Sequence, residues 1–423
     1  MQLAYGKGQV DLENVPGHCL GSLKPNSTQS ALALEDVHER IRNYFSGSRT
    51  TSALRHHQQT TIVVPDKTRN CAGSVLLPEI VRQLELLDIS HYKITILLAN
   101  GSHVAHSGDE VEDIVGPEIK GKIRILEHDA RNAAELKYFG KTDAGTPVWL
   151  NKHVVGPRNL IVLGTVVHHY FAGFGGGPKM IMPGCAGYET IRANHALTID
   201  PVSRDIHPGC RCGSVAGNPL QLDITDTLQM ANVRISAAFT AILNNDGDII
   251  DLFCGDINQT HMAACEAVDG LYRADIEKPA DLVIASCGGF PKDINLIQAH
   301  KTIYNAFHAV KPGGVLIILA ECSQGIGSET FMDYFNDGSE EMIDRLLTNY
   351  TLNGTTALSI SQKCKNAKVI LVSSLDETTV RHIGMIPVPT LRSALAVAAD
   401  LLPQSPTYYI MENGSLTVTR IVP

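Results

Sequence analysis

The sequence predicts an α/β protein of two domains, each a mainly parallel sheet flanked by helices. Two observations carry this. Short apolar, β-rich runs recur, each closing on a polar exit and followed by apolar residues at helical spacing, which is the repeating unit of a parallel sheet. A chain of 423 residues with a hydrophobic share of 44% is also long enough to bury two cores. Sheets of this kind hold ligands where their strands end, so the polar exits are where site residues are sought. The expected active site is the interdomain cleft.

The elements follow in order. A helix is predicted near Ser30 to Phe45. Thr61 to Val64 is a strand ending at Asp66-Lys67-Thr68-Arg69, followed by a helix over Leu76 to Leu87. Ile94 to Ala99 repeats the unit and exits at Asn100-Gly101-Ser102-His103. Ser107 with Glu110 then reads as a capping box. Strands are expected at Ile123 to Leu126, Pro147 to Val155 and Leu160 to Val167. Helices follow at Tyr188 to Leu197, Leu220 to Met230 and Met262 to Asp275. A hairpin joins Ile235–Leu243 to Asp248–Phe253 through Asn244-Asn245-Asp246-Gly247.

Lys278-Pro279 is the expected linker, which makes 1–277 the first domain and 278–404 the second, with 405–423 returning to the first. In the second, a strand over Asp281 to Ala285 precedes a helix over Ile294 to Val310 carrying Gln298 and Lys301 on one face. Gly314 to Ala320 and Lys368 to Val372 are further strands, and two more flank the turn at Glu412 to Ser415.

Composition excludes several classes. A net charge of −9 without a long basic run argues against nucleic acid or an anionic membrane as the main partner. No apolar run approaches the ~20 residues that span a bilayer, and the first residues lack the apolar core of a signal peptide. Ten scattered cysteines point to a reducing cytoplasm. Cys210-Arg211-Cys212 after His207 lacks the second pair that a zinc site needs and reads as a surface loop with thiols.

The stretch around which these exits gather is His168-His169-Tyr170-Phe171-Ala172-Gly173-Phe174-Gly175-Gly176-Gly177-Pro178-Lys179, continuing through Pro183-Gly184 to His195. Glycines let a backbone approach a ligand closely. Lys179 precedes Met180 rather than Ser or Thr, so this is not a triphosphate loop. Asp66, Thr68, Arg69, His103, His169, Lys179, His195, Gln298 and Lys301 together suit an anionic small molecule, a cofactor and two-sided proton chemistry. His106 and His128 read as structural.

At these residues the chain resembles the nickel-pincer lactate racemase family. The resemblance lies in His169-Tyr170-Phe171-Ala172-Gly173-Phe174, Gly176-Gly177, Lys179, Pro183-Gly184 and His195. It extends to Asp66-x-Thr68-Arg69, Asn100-Gly101-x-His103 and Gln298-Ala299-x-Lys301. It implies a racemase or epimerase inverting C2 of a 2-hydroxy acid by proton-coupled hydride transfer, through a 2-keto acid. The implied cofactor is a nickel-pincer nucleotide, anchored by Lys179, covalently in some members, with His195 as the nickel ligand.

His103 and His169 would be the paired acid/bases, and Arg69, Gln298 and Lys301 would hold the substrate. Asp66, Thr68, Gly175, Gly176 and Gly177 would line the nucleotide. Register from Lys179 selects His169 over His168. The implied partners are a small 2-hydroxy acid and the enzymes that build the cofactor. Val104 stands where many members have Arg, and Ile297 where many have an aromatic, which points to a 2-hydroxy acid other than lactate. Two alternatives stand beside this reading. One is a zinc- or nickel-dependent hydrolase or lyase, and the other a non-catalytic nucleotide-binding protein.

Overall fold

The computed structural model describes residues 1–25, 30–47, 53–244 and 246–422. Asn245, in the predicted hairpin turn, lies outside them. The chain divides into two compact units: Ser27–Leu197 with Gly209–Val268, and Met1–Asn26 with Thr198–Pro208 and Asp269–Pro423.

The first of these, the glycine-loop unit, is built on a six-stranded sheet among the described residues. Its order is Ile249–Gly255, Ala237–Leu243, Asn159–Thr165, Thr60–Pro65, Ile94–Ala99, Arg124–Glu127. All neighbours are parallel except the first pair, the hairpin, which is antiparallel. Thr60–Pro65 is buried at every position, as a strand covered on both faces must be, hence its continuous apolar run. Ile62, Val63 and Val64 are fully buried, each worth roughly 1.5–3 kcal/mol relative to exposure. The helix Gly73–Leu86 packs its Leu76, Leu77, Ile80 and Leu84 into the same core. The capping box forms as expected: Ser107 accepts from the Glu110 N–H, and the Glu110 carboxylate accepts from the Ser107 N–H.

The second unit carries a six-stranded, all-parallel sheet in the order Ile386–Val388, Lys368–Val372, Val310–Leu319, Ala280–Ser286, Thr407–Met411, His18–Leu23. Residues 405–423 were expected to return to the first domain. Instead Thr407–Met411 pairs with Ala280–Ser286, and Val418–Ile421 runs parallel to Arg273–Ile276. The reason is visible at Asp281, whose carboxylate accepts from both the N–H and the hydroxyl of Thr407. The N-terminal residues also join this unit. His18–Leu23 extends the sheet edge, and Leu3 and Leu12 share a core with Leu282 and Ile284, so the expected boundary at 277 does not separate the two units.

Among the described residues no helix is long and apolar enough to cross a membrane, and no cluster of His, Cys, Asp and Glu could hold a metal. All ten cysteines stand as thiols. Cys210 is buried rather than on a surface loop, within sulfur hydrogen-bond range of the Asn218 amide oxygen.

Candidate active site

Two strand ends meet at one carboxylate. Asp66 follows Thr60–Pro65 and is 2% exposed, whereas His103 follows Ile94–Ala99 with its side chain 45% exposed. The His103 Nδ1–H donates to Asp66 Oδ2. The other oxygen, Oδ1, accepts from the Thr68 hydroxyl at 2.6 Å, the Thr68 N–H at 3.0 Å and Arg69 Nη1 at 3.4 Å. Burial works to raise the Asp66 pKa. The His103 hydrogen bond and the Arg69 charge outweigh it and hold the carboxyl well below the usual range. An ionised Asp66 on Nδ1 leaves the Nε2 lone pair of His103 facing outward, the arrangement of a general base with its orienting acid.

Asp66 and Thr68, assigned by resemblance to the nucleotide, thus have His103 and Arg69 as their partners here. Arg69 spends Nη1 on Asp66 and on Thr68 Oγ1 at 3.0 Å, while its side chain stays 49% exposed.

The histidine pair ahead of the glycine loop forms a two-residue strand against Gly173–Phe174. Strand alternation sends the two rings to opposite faces. His168 stacks on Phe174 with centroids 4.9 Å apart, and His169 stacks on Tyr170 at 5.3 Å and meets Phe171 edge-on at 4.5 Å. His169 Nδ1 accepts from the Ala172 N–H at 3.3 Å, so its neutral ring carries the proton on Nε2. The loop backbone is held by the helix Pro219–Met230 and its cap. Asn218 donates to Phe171 O at 2.8 Å and Gln221 to Ala172 O at 2.7 Å.

The glycines answer first to protein packing. A Cβ on Gly173, at φ +77°, would lie 2.0 Å from Ser214 O, and one on Gly176, at φ +73°, 2.2 Å from Thr165 O. At Gly177 it would strike the buried ring of His261 at 2.4 Å. Gly175 alone of the set has room, with Val167 at an ordinary 3.5 Å.

Lys179 and His195, distant in sequence, converge on Phe171. The Lys179 Nζ is 6.0 Å from that ring centre and the His195 ring 5.4 Å. Lys179 retains some surface, yet protein closes around its ammonium. Burial first, and the Arg69 charge second, bring its pKa down to about 7. His195 donates Nδ1–H to Ile191 O, one helical turn back, at 2.8 Å. Burial and then the Lys179 charge lower its imidazole to about 3. It is therefore a neutral ring with its Nε2 lone pair directed away from its own helix, the state in which histidine ligates a metal.

Gln298 and Lys301 belong to the other unit. They share one face of Leu296–Phe307, where Lys301 Nζ donates to Gln298 Oε1 at 2.7 Å. Of the residues read as structural, His128 is buried and donates to Ala186 O at 2.9 Å while accepting from Asn151. His106 is enclosed as well, between Glu127 and Lys67.

Sequence reasoning missed His261, whose Nε2–H donates to Gly175 O at 3.1 Å beneath the loop, and no local pattern marks it. It also missed the buried Asp223, which binds Thr142, Thr146 and Asn194 and so fixes the residue before His195. Asn218 was findable, because Asn before Pro219 is a helix-start signature.

The chain and its fold have known counterparts. Residues 5–205 match the lactate racemase N-terminal domain and residues 276–419 the lactate racemase C-terminal domain. A lactate racemase of Thermoanaerobacterium thermosaccharolyticum is 27% identical over 430 residues, covering 99% of each chain. One from Lactiplantibacillus plantarum is also 27% identical over 430 residues, covering 98% of each. The solved lactate racemase apoprotein of Thermoanaerobacterium thermosaccharolyticum aligns with a TM-score of 0.86 at 26% identity, over 99% of both chains. With both domains of one family matched in order and its relatives aligned end to end, this chain belongs to the lactate racemase family of hydroxy-acid isomerases.

Proposed function

We propose that this chain inverts C2 of a 2-hydroxy acid, with a nickel-pincer nucleotide held by Lys179 and His195. The observation that carries the reading is the state of the three imidazoles. Nδ1 of His103, His169 and His195 each bonds the protein, at Asp66, the Ala172 N–H and Ile191 O, which fixes the orientation and tautomer of every ring. The site suits the cofactor on its donor chemistry. His195 offers a neutral nitrogen, and a lysine amine at about 7 is a competent nucleophile for an acyl-type anchor. When bound, the cofactor would supply a two-electron acceptor for the C2 hydrogen, which is too weakly acidic beside a carboxylate for a histidine to remove as a proton.

The remaining steps belong to the chain. Arg69 clamps the substrate carboxylate. His103, oriented by Asp66, takes the hydroxyl proton on Nε2. His169 presents Nε2–H to the substrate oxygen from its own loop, and the two exchange roles for the opposite enantiomer. Gln298 and Lys301 are substrate-binding residues by the resemblance alone, and the Gly175 to Gly177 backbone borders the nucleotide. Lactate, named for both relatives, is the first substrate. Val104, 77% exposed beside His103, favours testing longer 2-hydroxy acids with it.

The test is co-expression with the cofactor-building enzymes, followed by intact mass, nickel content and racemisation of a 2-hydroxy acid panel. Nickel near one per chain with turnover, lowered about 10²–10⁴-fold in His103→Ala, is the expected result. A chain that takes up neither nickel nor nucleotide, while a known lactate racemase loads in parallel, would overturn the reading and favour the metallohydrolase.

A further inference from the structure

The Asp66–His103 pair joins two loops from adjacent strands, and something must hold those loops in register. Glu127, at the end of the neighbouring strand Arg124–Glu127, gathers the second loop at both ends. Its Oε2 accepts from Asn100 Nδ2 at 3.0 Å, from the His106 N–H at 2.9 Å and from His106 Nδ1 at 2.7 Å. Asn100 and His106 bracket His103 in sequence. The opposite edge of the His106 ring reaches the first loop, where Nε2 accepts from the Lys67 N–H at 3.1 Å. Lys67 is the residue after Asp66. The His106 side chain is only 1% exposed, so water is a poor substitute for either partner.

We propose that His106, oriented by Glu127, is a positioning residue that sets the separation of Asp66 and His103. The proposal rests on His103 acting as the base. The ring serves only in one form, with Nδ1–H donating to a carboxylate and Nε2 accepting from a backbone amide. A proton on Nε2 would set donor against donor and part the loops. The other charged groups facing this clamp are Lys67 and Glu110, paired at 2.5 Å, with Asp66, Arg69 and His103 across it. The Lys67–Glu110 pair is exposed and joins flexible side chains, whereas the enclosed His106 ring meets the Lys67 main-chain N–H on one edge and the Glu127 carboxylate on the other.

The experiment compares His106→Phe, His106→Gln and Glu127→Gln in the cofactor-loaded enzyme, in native and Asp66→Asn backgrounds. Phe keeps the ring volume and loses both bonds. Gln at 106 can still accept from the Lys67 N–H, and Gln at 127 keeps an acceptor oxygen. His106→Phe should lower kcat about tenfold with KM nearly unchanged, and both Gln variants should recover most of that loss. In the Asp66→Asn background the phenylalanine should cost nothing further, because residues acting through one pair are not additive. Equal losses in both backgrounds would make His106 a purely structural residue.

A second readout needs no cofactor. In the apo chain with ¹³C-labelled aspartate carboxyls, Asp66 (identified by its loss in Asp66→Asn) should titrate about one pH unit higher in His106→Phe. An unmoved Asp66 overturns the proposal even where turnover falls. If His103→Ala leaves racemisation intact, the base assignment fails by itself, and the Asp66 titration still decides the role of His106.

Discussion

Lys179 is an amine that the fold has already prepared. With its pKa near 7, about half of the side chain is unprotonated at neutral pH, against well under one per cent for an ordinary lysine at ~10.4. Labelling of the apo chain with an amine-acylating reagent, quantified by peptide mass spectrometry, should therefore show Lys179 half-maximal near pH ~7 and level above ~8. Ordinary lysines keep rising towards ~10. A Lys179 profile that follows theirs would mean that burial does not prime it. The lysine itself was legible in the sequence as the residue leaving a glycine loop. Its depressed pKa was not, because it depends on burial and then on the Arg69 charge, both of which exist only in the folded chain. The same holds for Asp66. Its place after a strand was readable, but its partnership with His103 is a long-range contact between two exits that looked merely analogous.

At the level of elements, the glycine loop separates packing from ligand approach. Gly176→Ala would drive a Cβ into Thr165 O at 2.2 Å in a left-handed backbone, and Gly175→Ala meets nothing closer than 3.5 Å. Denaturant unfolding of the apo chain should show Gly176→Ala losing about 2 kcal/mol or more and Gly175→Ala less than ~1. Comparable stabilities for the two would show that the loop rearranges freely. Existence and type of elements were well marked: the parallel units, the capping box at Ser107 and the hairpin before Asp248 all stand. Boundaries moved by a turn where tertiary contacts intervene. The helix carrying His261 begins at Ile257, ahead of the expected Met262. The terminal strand Thr407–Met411 was recognised, but its partner was not. Pairing rests on Asp281 and on a sheet whose other edge is the N-terminal strand.

For the molecule as a whole, burial sets a window of pH. His195, His300, His308, His128 and His261 are all pushed by burial below the ordinary histidine value, His308 to about 4. The unfolded chain takes up protons at these positions first, so their contribution is whole above pH ~6.5 and lost as pH falls through the folded values. Burial raises the thiols of Cys71, Cys185, Cys210, Cys254, Cys287, Cys322 and Cys364 to about 12 or above. These ionise only on unfolding, which drains stability above ~8.5. Lys179 and Lys363, lowered by burial to about 7 and about 8, act in the opposite sense there but are outnumbered. The thermal midpoint in reducing buffer should peak between pH ~6.5 and ~8.5 and decline on both sides. A midpoint still climbing at pH 10 would show the lysines winning.

One thread of main chain links the two halves of the chemistry. The Gly101 N–H, beside His103, donates to Gly184 O at 2.9 Å, and the Gly184 N–H donates to Lys179 O at 3.0 Å. His103 and Lys179, the proposed proton acceptor and cofactor anchor, are thus coupled through peptide groups alone, with no side chain in the path. Substitutions around the pocket can retune what it accepts without changing the distance over which it works, as a tool keeps its span when its jaws are refaced.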